Sequence, residues 1–246
     1  MTNDNKKRII ILIPCYNEEE CISNVVNGIN IYMQTIPSFI TVEYLIINDC
    51  STDATLEMCK KNGYNYLNLP ENLGIGGCMQ AGYCYAYENE YDIAVQHDGD
   101  GQHDPFYLDA VVRPILSNKA DIVIGSRFIE KQGFQSSWQR RFGIRLLSNL
   151  IFFCARVKIL DVTSGYRAIS KKYIKRFAEQ YAQDYPEPES IMDAALNKAV
   201  IIEIPVVMKA RMSGESSIKP FHSLYYVVKV SLTILLYRFI VKKRVS

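Results

Sequence analysis

Short apolar runs rich in β-branched residues alternate with helical stretches through the first half of the chain. The predicted strands span 8–13, 42–47, 64–68, 93–96, 121–124 and 201–207. The predicted helices span 18–34, a segment capped by Ser51-Thr52-Asp53 and ended by Gly63, 74–90, and a segment that begins at Pro105. Because this alternation is typical of βαβ units, we expect an α/β protein whose mostly parallel sheet is flanked by helices.

The length of 246 residues allows one large α/β domain, with or without a small appendage. Hydrophobic residues make up 48% and charged residues 22%, which is the balance of a globular protein. The seven cysteines form no CxxC pair, so we expect reduced, mostly buried thiols in a cytosolic protein. The apolar run near the N-terminus is too short for the core of a signal peptide, and no export is predicted.

The overall charge of +2 is unevenly distributed along the chain. Residues 208–246 carry a net charge of +7, so the remainder carries −5. Such asymmetry indicates a basic tail that contacts an anionic partner, either membrane lipid or nucleic acid.

Polar side chains follow three of the predicted strands. Pro14-Cys15-Tyr16-Asn17-Glu18 comes after the first strand, and Asn48-Asp49-Cys50-Ser51-Thr52-Asp53 comes after the second. His97-Asp98-Gly99-Asp100-Gly101-Gln102 follows the fourth strand. Because ligands of doubly wound sheets bind beyond the carboxyl ends of the strands, we expect these segments to converge on one site.

Asp98-Gly99-Asp100 is the strongest indication of chemistry among these segments. Two carboxylates separated by one glycine can both reach a hard divalent cation, and Mg²⁺ or Mn²⁺ takes few protein ligands when phosphates complete its shell. Gln102 supplies a candidate third oxygen. A solvated turn is the alternative for this segment in isolation. Its place after a buried strand, beside two other acidic loops, favours a metal site.

Asn72-Leu73-Gly74-Ile75-Gly76-Gly77 opens the helix predicted at 74–90 with three glycines. Helix N-termini attract anions, but this segment follows the third strand and lacks the Lys-Ser/Thr pair of a phosphate-binding loop. We expect the glycines to allow a close approach of helix to sheet, with contact to a phosphate as the second interpretation.

Six motifs occur together in this chain. They are Ile13-Pro14-Cys15-Tyr16-Asn17-Glu18-Glu19, Asn48-Asp49-Cys50-Ser51-Thr52-Asp53, Asn72-Leu73-Gly74, Asp98-Gly99-Asp100-Gly101-Gln102-His103-Asp104-Pro105, Gly125-Ser126-Arg127 and Asp161-Val162-Thr163-Ser164-Gly165-Tyr166-Arg167. In type and order they resemble the family 2 glycosyltransferases, above all the branch of dolichyl-phosphate mannose synthases and other polyprenyl-phosphate glycosyltransferases. The resemblance covers residues 8–218. One departure is Asn48, where the family usually has an aspartate, and it bears on the identity of the donor.

The resemblance implies a GT-A fold over residues 1–218 and a metal-dependent, inverting hexosyltransferase. The residues implied to bind the nucleotide sugar are Pro14, Tyr16, Asn17, Glu18, Asn48, Asp49, Gly74 and Asp98. Those implied to bind Mg²⁺ or Mn²⁺ are Asp98, Asp100 and Gln102. Those implied to act in catalysis are Asp100, Glu189, Arg127 and Arg211, of which the two arginines bind phosphate.

Acceptor contacts are expected from the second half of the chain. Glu187 and Glu189 lie where the resembling enzymes carry acidic residues. Glu189 is favoured because it opens the helix that follows. The alternative for Glu187 is a place in a proline-stiffened surface loop. The segment 211–217 resembles the one that lies over the acceptor phosphate in the family. Asp161 and Arg167 are equally compatible with a structural ion pair and with a catalytic role.

The segment 219–246 predicts an amphipathic helix at a membrane surface. Its apolar run at 224–241 approaches the ~20 residues of a spanning helix, but Lys229 and Arg238 interrupt it. An interfacial helix tolerates these charges, and Lys242-Lys243-Arg244 adds attraction to anionic lipid. A helix packed on the domain is the alternative. We expect a cytoplasmic protein that is peripheral on the inner face of the cell membrane. Its expected partner is an anionic membrane surface and not a nucleic acid. A homo-oligomer is left open.

The predicted activity is transfer of a hexose from a UDP-sugar to a polyprenyl phosphate for cell-envelope glycan synthesis, with GDP-mannose as the second donor. A phosphate monoester is largely dianionic at neutral pH and needs no strong base, whereas a hydroxyl of a growing polysaccharide needs a carboxylate base. Transfer to such a hydroxyl is the first alternative. A phosphatase is disfavoured, because its Asp-x-Asp nucleophile normally follows the first strand. The remaining alternative is a non-catalytic nucleotide-sugar-binding protein at the membrane.

Overall fold

The computed structural model describes residues 6–37, 39–134, 137–209 and 220–245, and within the last segment it describes the side chains of residues 225–238. The strands are β1 (Lys7–Cys15), β2 (Ile40–Asn48), β3 (Tyr66–Asn68), β4 (Ile93–Gln96), β5 (Ile122–Ser126), β6 (Arg167–Ser170) and β7 (Ile201–Pro205). The helices are α1 (Ile22–Met33), α2 (Thr55–Lys61), α3 (Gly74–Glu88), α4 (Leu108–Leu116), α5 (Trp138–Ala155), α6 (Lys171–Glu179), α7 (Pro186–Leu196) and α8 (Pro220–Val245). A short 3₁₀ turn (Pro105–Tyr107) precedes α4.

These strands form one sheet in the spatial order β3-β2-β1-β4-β6-β5-β7. β6 runs antiparallel to its neighbours β4 and β5, and the other neighbouring strands pair in parallel. The chain moves outward from β1 to β3 and then returns to place β4 on the other side of β1. The strand order therefore reverses between β1 and β4, which is the usual ligand position in such a sheet.

The predicted α/β architecture is confirmed, and each predicted strand is present with bounds shifted by at most two residues. The first helix begins at Ile22 rather than Glu18, and residues 19–21 form a turn before it. β6 was not among the predicted strands, and it begins at Arg167, the last residue of the motif that starts at Asp161. This strand has four residues and no alternation of buried and exposed positions, so its sequence carries little strand signal.

β1 is buried on both faces, which explains its uninterrupted apolar sequence. Ile10 and Leu12 pack into a core shared with α3, α5, α6, α7 and α8. Ile9, Ile11 and Ile13 pack into a second core, shared mainly with α1 and α4. The seven cysteines are free thiols, as predicted, and five of them are buried.

α8 packs on the domain along one side. The side chains of that side that enter the core are Tyr226, Val230 and Ile234. Lys229 binds Asp184 at 2.5 Å, and Arg238 donates to the Cys154 carbonyl oxygen at 2.6 Å, so both charges of the apolar run are directed toward the protein. No helix within the described ranges is both long enough and apolar enough to cross a membrane.

Gly76→Ala is expected to destabilise the fold by about 2–3 kcal/mol, which is more than its control loses. A Cβ atom at Gly76 would stand 2.1 Å from the Gln183 carbonyl oxygen, so this glycine allows α3 to approach the segment before α7, whereas Gly82 approaches the sheet. Gly63→Ala is the control. Gly63 has φ +63° and open space around it, so only the backbone strain of about 1 kcal/mol applies. Urea denaturation measures both, and equal losses would contradict the close contact of α3 with this segment.

Candidate functional site

The carboxyl ends of β1, β2 and β4 come together where the strand order reverses. β2 pairs with β1 up to Asn48, which lies opposite Cys15. The backbone N–H of Asp49 donates to the Cys15 carbonyl oxygen at 2.8 Å, and that of His97 donates to the Leu12 carbonyl oxygen at 2.9 Å. The three polar segments that follow these strands therefore lie side by side.

Gly99 lets the loop after β4 lie directly against the end of β1. A Cβ atom at this position would stand 2.6 Å from Cys15 Sγ, 3.1 Å from the Pro14 carbonyl oxygen and 3.6 Å from Glu18 Cγ. A side chain at this position would have to displace the Cys15 thiol and press against the Pro14 carbonyl oxygen. Glycine therefore lets Asp98 and Asp100 stand beside the loop after β1.

Asp98 is held in a fixed orientation. Its backbone N–H donates to His103 Nδ1 at 3.0 Å, and Gln96 Nε2 donates to its Oδ1 at 3.2 Å. Gly165 lies behind the carboxylate, since a Cβ atom there would stand 2.9 Å from Asp98 Oδ2. Because 31% of the Asp98 side chain is exposed, the carboxylate remains accessible from one side.

Asp100 and Gln102 follow in the same loop. The backbone N–H of Gln102 donates to Asp100 Oδ1 at 3.0 Å, and Gln102 Nε2 donates to the Lys209 carbonyl oxygen at 3.3 Å. In the part of the chain that the structure describes, no three or more His, Cys, Asp or Glu side chains are grouped to hold a metal. Two carboxylates and an amide oxygen fit Mg²⁺ or Mn²⁺, whose shell substrate phosphates complete, and do not fit a metal that needs four protein ligands.

Two buried histidines and a tyrosine lie beneath this loop. His103 stacks on Tyr166 with ring centroids 4.6 Å apart, and His97 packs edge-on against both rings. Burial lowers the pKa of His97 to about 3 and that of His103 to about 4. Both rings are therefore neutral at neutral pH, and they add no positive charge next to the two aspartates. His103 was not among the predicted site residues, although it belongs to the motif that begins at Asp98.

Asn17 joins the loop after β1 to the loop after β2. It adopts φ +58°, and its Oδ1 accepts from the backbone N–H groups of Thr52 at 2.8 Å and Asp53 at 3.3 Å. The neighbouring Tyr16 is 48% exposed. Of these two predicted nucleotide residues, Tyr16 presents its ring to solvent, whereas the side chain of Asn17 binds within the protein.

Asn48 and Asp49 lie next to the N-terminus of α3. Asn48 Nδ2 donates to Asn68 Oδ1 at 2.6 Å, and its buried Oδ1 has no hydrogen-bond partner among the described residues. Asp49 Oδ1 accepts from the Leu73 N–H at 2.7 Å, just before Gly74 opens α3 with φ +71°. Burial raises the pKa of Asp49, although hydrogen bonds from Leu73 and Gly74 act in the opposite direction. These predicted nucleotide residues thus surround one helix N-terminus.

Arg127 forms a buried ion pair with Asp161. Its Nε donates to Asp161 Oδ2 and its Nη2 to Oδ1, both at 2.7 Å. An ion pair between Asp161 and Arg167 is therefore wrong, since Arg167 donates instead to the Ser164 carbonyl oxygen and to Ser190 Oγ. Burial acts to lower the pKa of Arg127, but hydrogen bonding and attraction from Asp161 raise it on balance, with a contribution from Asp98. Its guanidinium thus lies within the electrostatic reach of the predicted metal site.

Glu187 is the glutamate of α7 that is electrostatically coupled to the predicted metal site. Burial raises its pKa, attraction from Arg167 acts against this rise, and repulsion from Asp98 adds to it. From the sequence, Glu189 was preferred to Glu187 as the acceptor-side residue. Residues two positions apart on a helix point in different directions, so the two glutamates could have been expected to differ in their surroundings.

The surroundings of Glu189 differ from those of Glu187. Burial raises its pKa to about 7, and repulsion from Asp184 adds to the shift. It lines a cavity of about 350 Å³ together with Gln80, Phe177, Glu179, Gln180, Tyr181, Ala182, Ser190, Asp193 and Tyr237. Its catalytic role stays a prediction.

Arg211 and the segment 211–217 lie outside the described residues. The chain that leads to them is anchored at the site, because the Lys209 N–H donates to the Gln102 carbonyl oxygen at 3.0 Å. Lys209 Nζ also lies 3.1 Å from Asp104 Oδ2. Lys209, the last described residue before this segment, therefore lies next to the predicted metal residues.

The family model of Glycosyl transferase family 2 matches residues 10–177. The chain belongs to the family 2 glycosyltransferases. It is 32% identical, over 220 residues, to the UDP-N-acetylglucosamine–dolichyl-phosphate N-acetylglucosaminyltransferase of Methanococcus voltae, and the alignment covers 81% of this chain and 85% of the relative. It is 24% identical, over 220 residues, to the polyprenol monophosphomannose synthase of Mycolicibacterium smegmatis, with 85% and 80% covered. The predicted family is confirmed.

The predicted GT-A fold of this glycosyltransferase is also confirmed. A structure of glucosyl-3-phosphoglycerate synthase from Mycobacterium tuberculosis, in complex with Mn²⁺, UDP-glucose and phosphoglyceric acid, matches it with a TM-score of 0.70. The sequence identity is 18%, and the match covers 96% of this chain and 81% of the other. At this identity the likeness shows the fold alone.

Lowering the pH from 7 to 5 is expected to destabilise this glycosyltransferase by about 2 kcal/mol for each buried histidine. His97 and His103 have folded pKa values of about 3 and about 4, below the unfolded value near 6.5. The unfolded chain therefore binds more protons between pH 6.5 and 4, and stability falls as the pH falls. In denaturation curves, His97→Gln should lose about 2 kcal/mol less than the wild type. An unchanged pH dependence would contradict the burial of a neutral ring.

Proposed function

We propose that this glycosyltransferase moves a hexose, with inversion, from a UDP-sugar to a polyprenyl phosphate and requires Mg²⁺ or Mn²⁺. The Methanococcus voltae relative is named for a UDP-sugar donor and a dolichyl-phosphate acceptor. Relatives from Mycolicibacterium smegmatis and Micrococcus luteus are named as a polyprenol monophosphomannose synthase and an undecaprenyl-phosphate mannosyltransferase. These names support an acceptor of the polyprenyl-phosphate class. They differ in the sugar, and GDP-mannose stays the second donor.

The contact between the Asp98-Gly99-Asp100 loop and the end of β1 carries the proposal. A divalent ion held by Asp98, Asp100 and Gln102 would neutralise charge on the departing nucleoside diphosphate. Solved structures of glucosyl-3-phosphoglycerate synthase contain Mn²⁺ or Mg²⁺ together with UDP, which supports such an ion in this fold. Hydrogen bonds hold these ligands in place: the Asp98 N–H donates to His103 Nδ1, and the Gln102 N–H donates to the Asp100 carboxylate.

The nucleotide is proposed to lie between the loop after β1 and the N-terminus of α3. Tyr16 offers an exposed ring on which a base can stack. Asn48 Oδ1 lacks a hydrogen-bond partner among the described residues but is buried, so its proposed contact with an N–H group of a base requires a local change in packing. The N-terminus of α3 at Gly74 favours the negative charge of the diphosphate.

The acceptor side is proposed to depend on charge more than on a base. A lipid phosphate with a second pKa of about 6 is already largely ionised at neutral pH, so its oxygen can attack the sugar carbon directly. Arg211 is proposed to hold this phosphate, and Arg127 supports it with a guanidinium that Asp161 keeps in place. The carboxylate of Glu187, in its ionised form, would favour the positive charge that develops on the sugar ring.

Transfer to a hydroxyl of a growing polysaccharide is the second candidate function. Glu189, with a pKa of about 7, is the candidate base for such a transfer, which requires the acceptor hydroxyl to reach the cavity that Glu189 lines. The two candidates differ in their acceptor. A lipid-phosphate enzyme glycosylates undecaprenyl phosphate without any saccharide, and a polysaccharide enzyme does not.

We further propose that the enzyme works at the cytoplasmic face of the membrane. Residues 1–218 would form the catalytic domain and residues 219–246 a membrane-surface element. The net charge of +7 on residues 208–246 supports attraction to anionic lipid. The hydrophobic acceptor also requires access to a bilayer.

A transfer assay tests the proposed function. Purified protein is incubated with undecaprenyl phosphate, Mg²⁺ or Mn²⁺, and radiolabelled UDP-sugars, including UDP-N-acetylglucosamine, or GDP-mannose. We expect a labelled lipid product from a UDP-sugar, its loss with EDTA, and at least about 100-fold lower kcat in Asp100→Asn, because one donor to the ion is removed.

Asp109→Asn is the control, since Asp109 is an exposed residue of α4 that pairs within that helix, with Arg113. Its kcat should stay within about threefold of the wild type. Transfer to a saccharide alone would overturn the choice of acceptor. Full activity in EDTA would overturn the role of the metal.

Glu189→Gln should stabilise the protein and reduce transfer. The folded pKa of about 7 exceeds the unfolded value near 4.5, so the ionised carboxylate costs stability progressively from pH 4.5 to 7 and fully above it. At pH 8 the variant should gain about 1–3 kcal/mol in the free energy of unfolding. If Glu189 acts on the acceptor side, kcat should fall at least about tenfold. Unchanged kcat in a stabilised variant would assign Glu189 a structural role.

A further inference from the structure

Large apolar side chains are exposed along α5 and α8. Those on α5 are Trp138, Phe142, Leu146, Phe152 and Phe153. Those on the described part of α8 are Tyr225, Val228, Leu232, Leu235 and Leu236. Trp138 and Phe153 are each 70% exposed, which is unusual for the largest apolar residues of a folded domain.

The exposed residues of α5 form one stripe. Trp138, Phe142, Leu146 and Phe153 are spaced by four, four and seven residues, so they project from the same side of the helix. The residues on the opposite side are buried in the core, among them Ile144, Leu147 and Ile151. The stripe is therefore not the packing face of α5.

α8 repeats this arrangement. Tyr225, Val228, Leu232 and Leu236 are spaced by three, four and four residues and face away from the core. Its buried residues Tyr226, Val230 and Ile234 hold the helix on the domain. The packed side and the exposed apolar side thus coexist on one helix.

The two helices lie parallel and next to each other. A Cβ atom at Gly143 would stand 2.9 Å from Val227 Cγ2, and eleven residues further along each helix Arg238 Nη1 donates to the Cys154 carbonyl oxygen at 2.6 Å. Because both contacts have the same offset, the helices run side by side for about three turns. Their exposed stripes therefore form one surface, which we call the α5–α8 surface.

The charge of this surface is positive. α5 exposes Arg141 and Arg145 beside the stripe, and neither α5 nor α8 contains an aspartate or a glutamate. Arg156, at the end of α5, lies over the ring of Phe153 at 6.0 Å. Aromatic residues interleaved with arginines are typical of surfaces that enter the headgroup region of an anionic bilayer.

We propose that the α5–α8 surface is the membrane-binding face of the protein and that its partner is an anionic lipid bilayer. Trp138, Phe142 and Phe153 enter the headgroup–acyl boundary, and Arg141 and Arg145 bind lipid phosphates. This inference rests on the membrane location proposed above. It assigns the binding to a pair of helices on the catalytic domain rather than to the basic C-terminal tail alone.

Vesicle flotation with the purified full-length protein tests this inference. Vesicles contain phosphatidylcholine alone or mixed with phosphatidylglycerol. The double variant Phe142→Ser, Phe153→Ser should bind anionic vesicles at least about tenfold more weakly, since each ring loses its burial in lipid. The double variant Arg141→Glu, Arg145→Glu should lose at least about fivefold and with it the preference for anionic vesicles.

Phe39→Ser is the matched control, because Phe39 is 63% exposed and lies just before β2, away from α5 and α8. Its binding should equal that of the wild type. Transfer to detergent-solubilised polyprenyl phosphate should be unchanged in all these variants, which separates loss of membrane binding from failure of the proposed activity. Wild-type vesicle binding by the Phe142→Ser, Phe153→Ser variant would overturn the proposal. So would a dimer, seen by light scattering, that these two substitutions dissociate.

Discussion

The candidate site depends on the contact between Gly99 and the end of β1. A side chain at position 99 would have to displace Cys15 Sγ and would press against the Pro14 carbonyl oxygen. This contact places two carboxylates beside the loop after β1, where the strand order of the sheet reverses. The buried His97 and His103 beneath the loop are neutral at neutral pH, so they add no positive charge beside Asp98 and Asp100.

Most polar residues around this contact hold the loops together. Asn17 ties the loop after β1 to the loop after β2, and Asp49 ties the latter to the start of α3. The buried ion pair of Arg127 and Asp161 joins the end of β5 to the segment before β6. Buried polar groups need hydrogen-bond partners, so three loops that meet in one place require many such residues. A motif recognised in the sequence therefore contains both residues that position the site and residues that a ligand can reach.

The parts of the fold with strong local patterns were predictable from the sequence. β1 and β2 are long and apolar, and the Asp98-Gly99-Asp100 loop follows a buried strand. β6 was not predictable, because four residues between two antiparallel neighbours have no periodicity. The choice between Glu187 and Glu189 depends on how α7 packs, which no local pattern encodes. The exposed apolar stripe of α5 likewise becomes visible only when the buried side of the helix is known.

Electron paramagnetic resonance of Mn²⁺ tests the central claim most directly. Free Mn²⁺ is titrated with the protein in the presence and absence of UDP, for the wild type and for Asp100→Asn. The signal of free Mn²⁺ should decrease as the wild-type protein binds the ion, and UDP should strengthen this binding. Asp100→Asn should abolish both effects. Equal Mn²⁺ binding by the wild type and Asp100→Asn in the presence of UDP would contradict a metal site on the loop after β4.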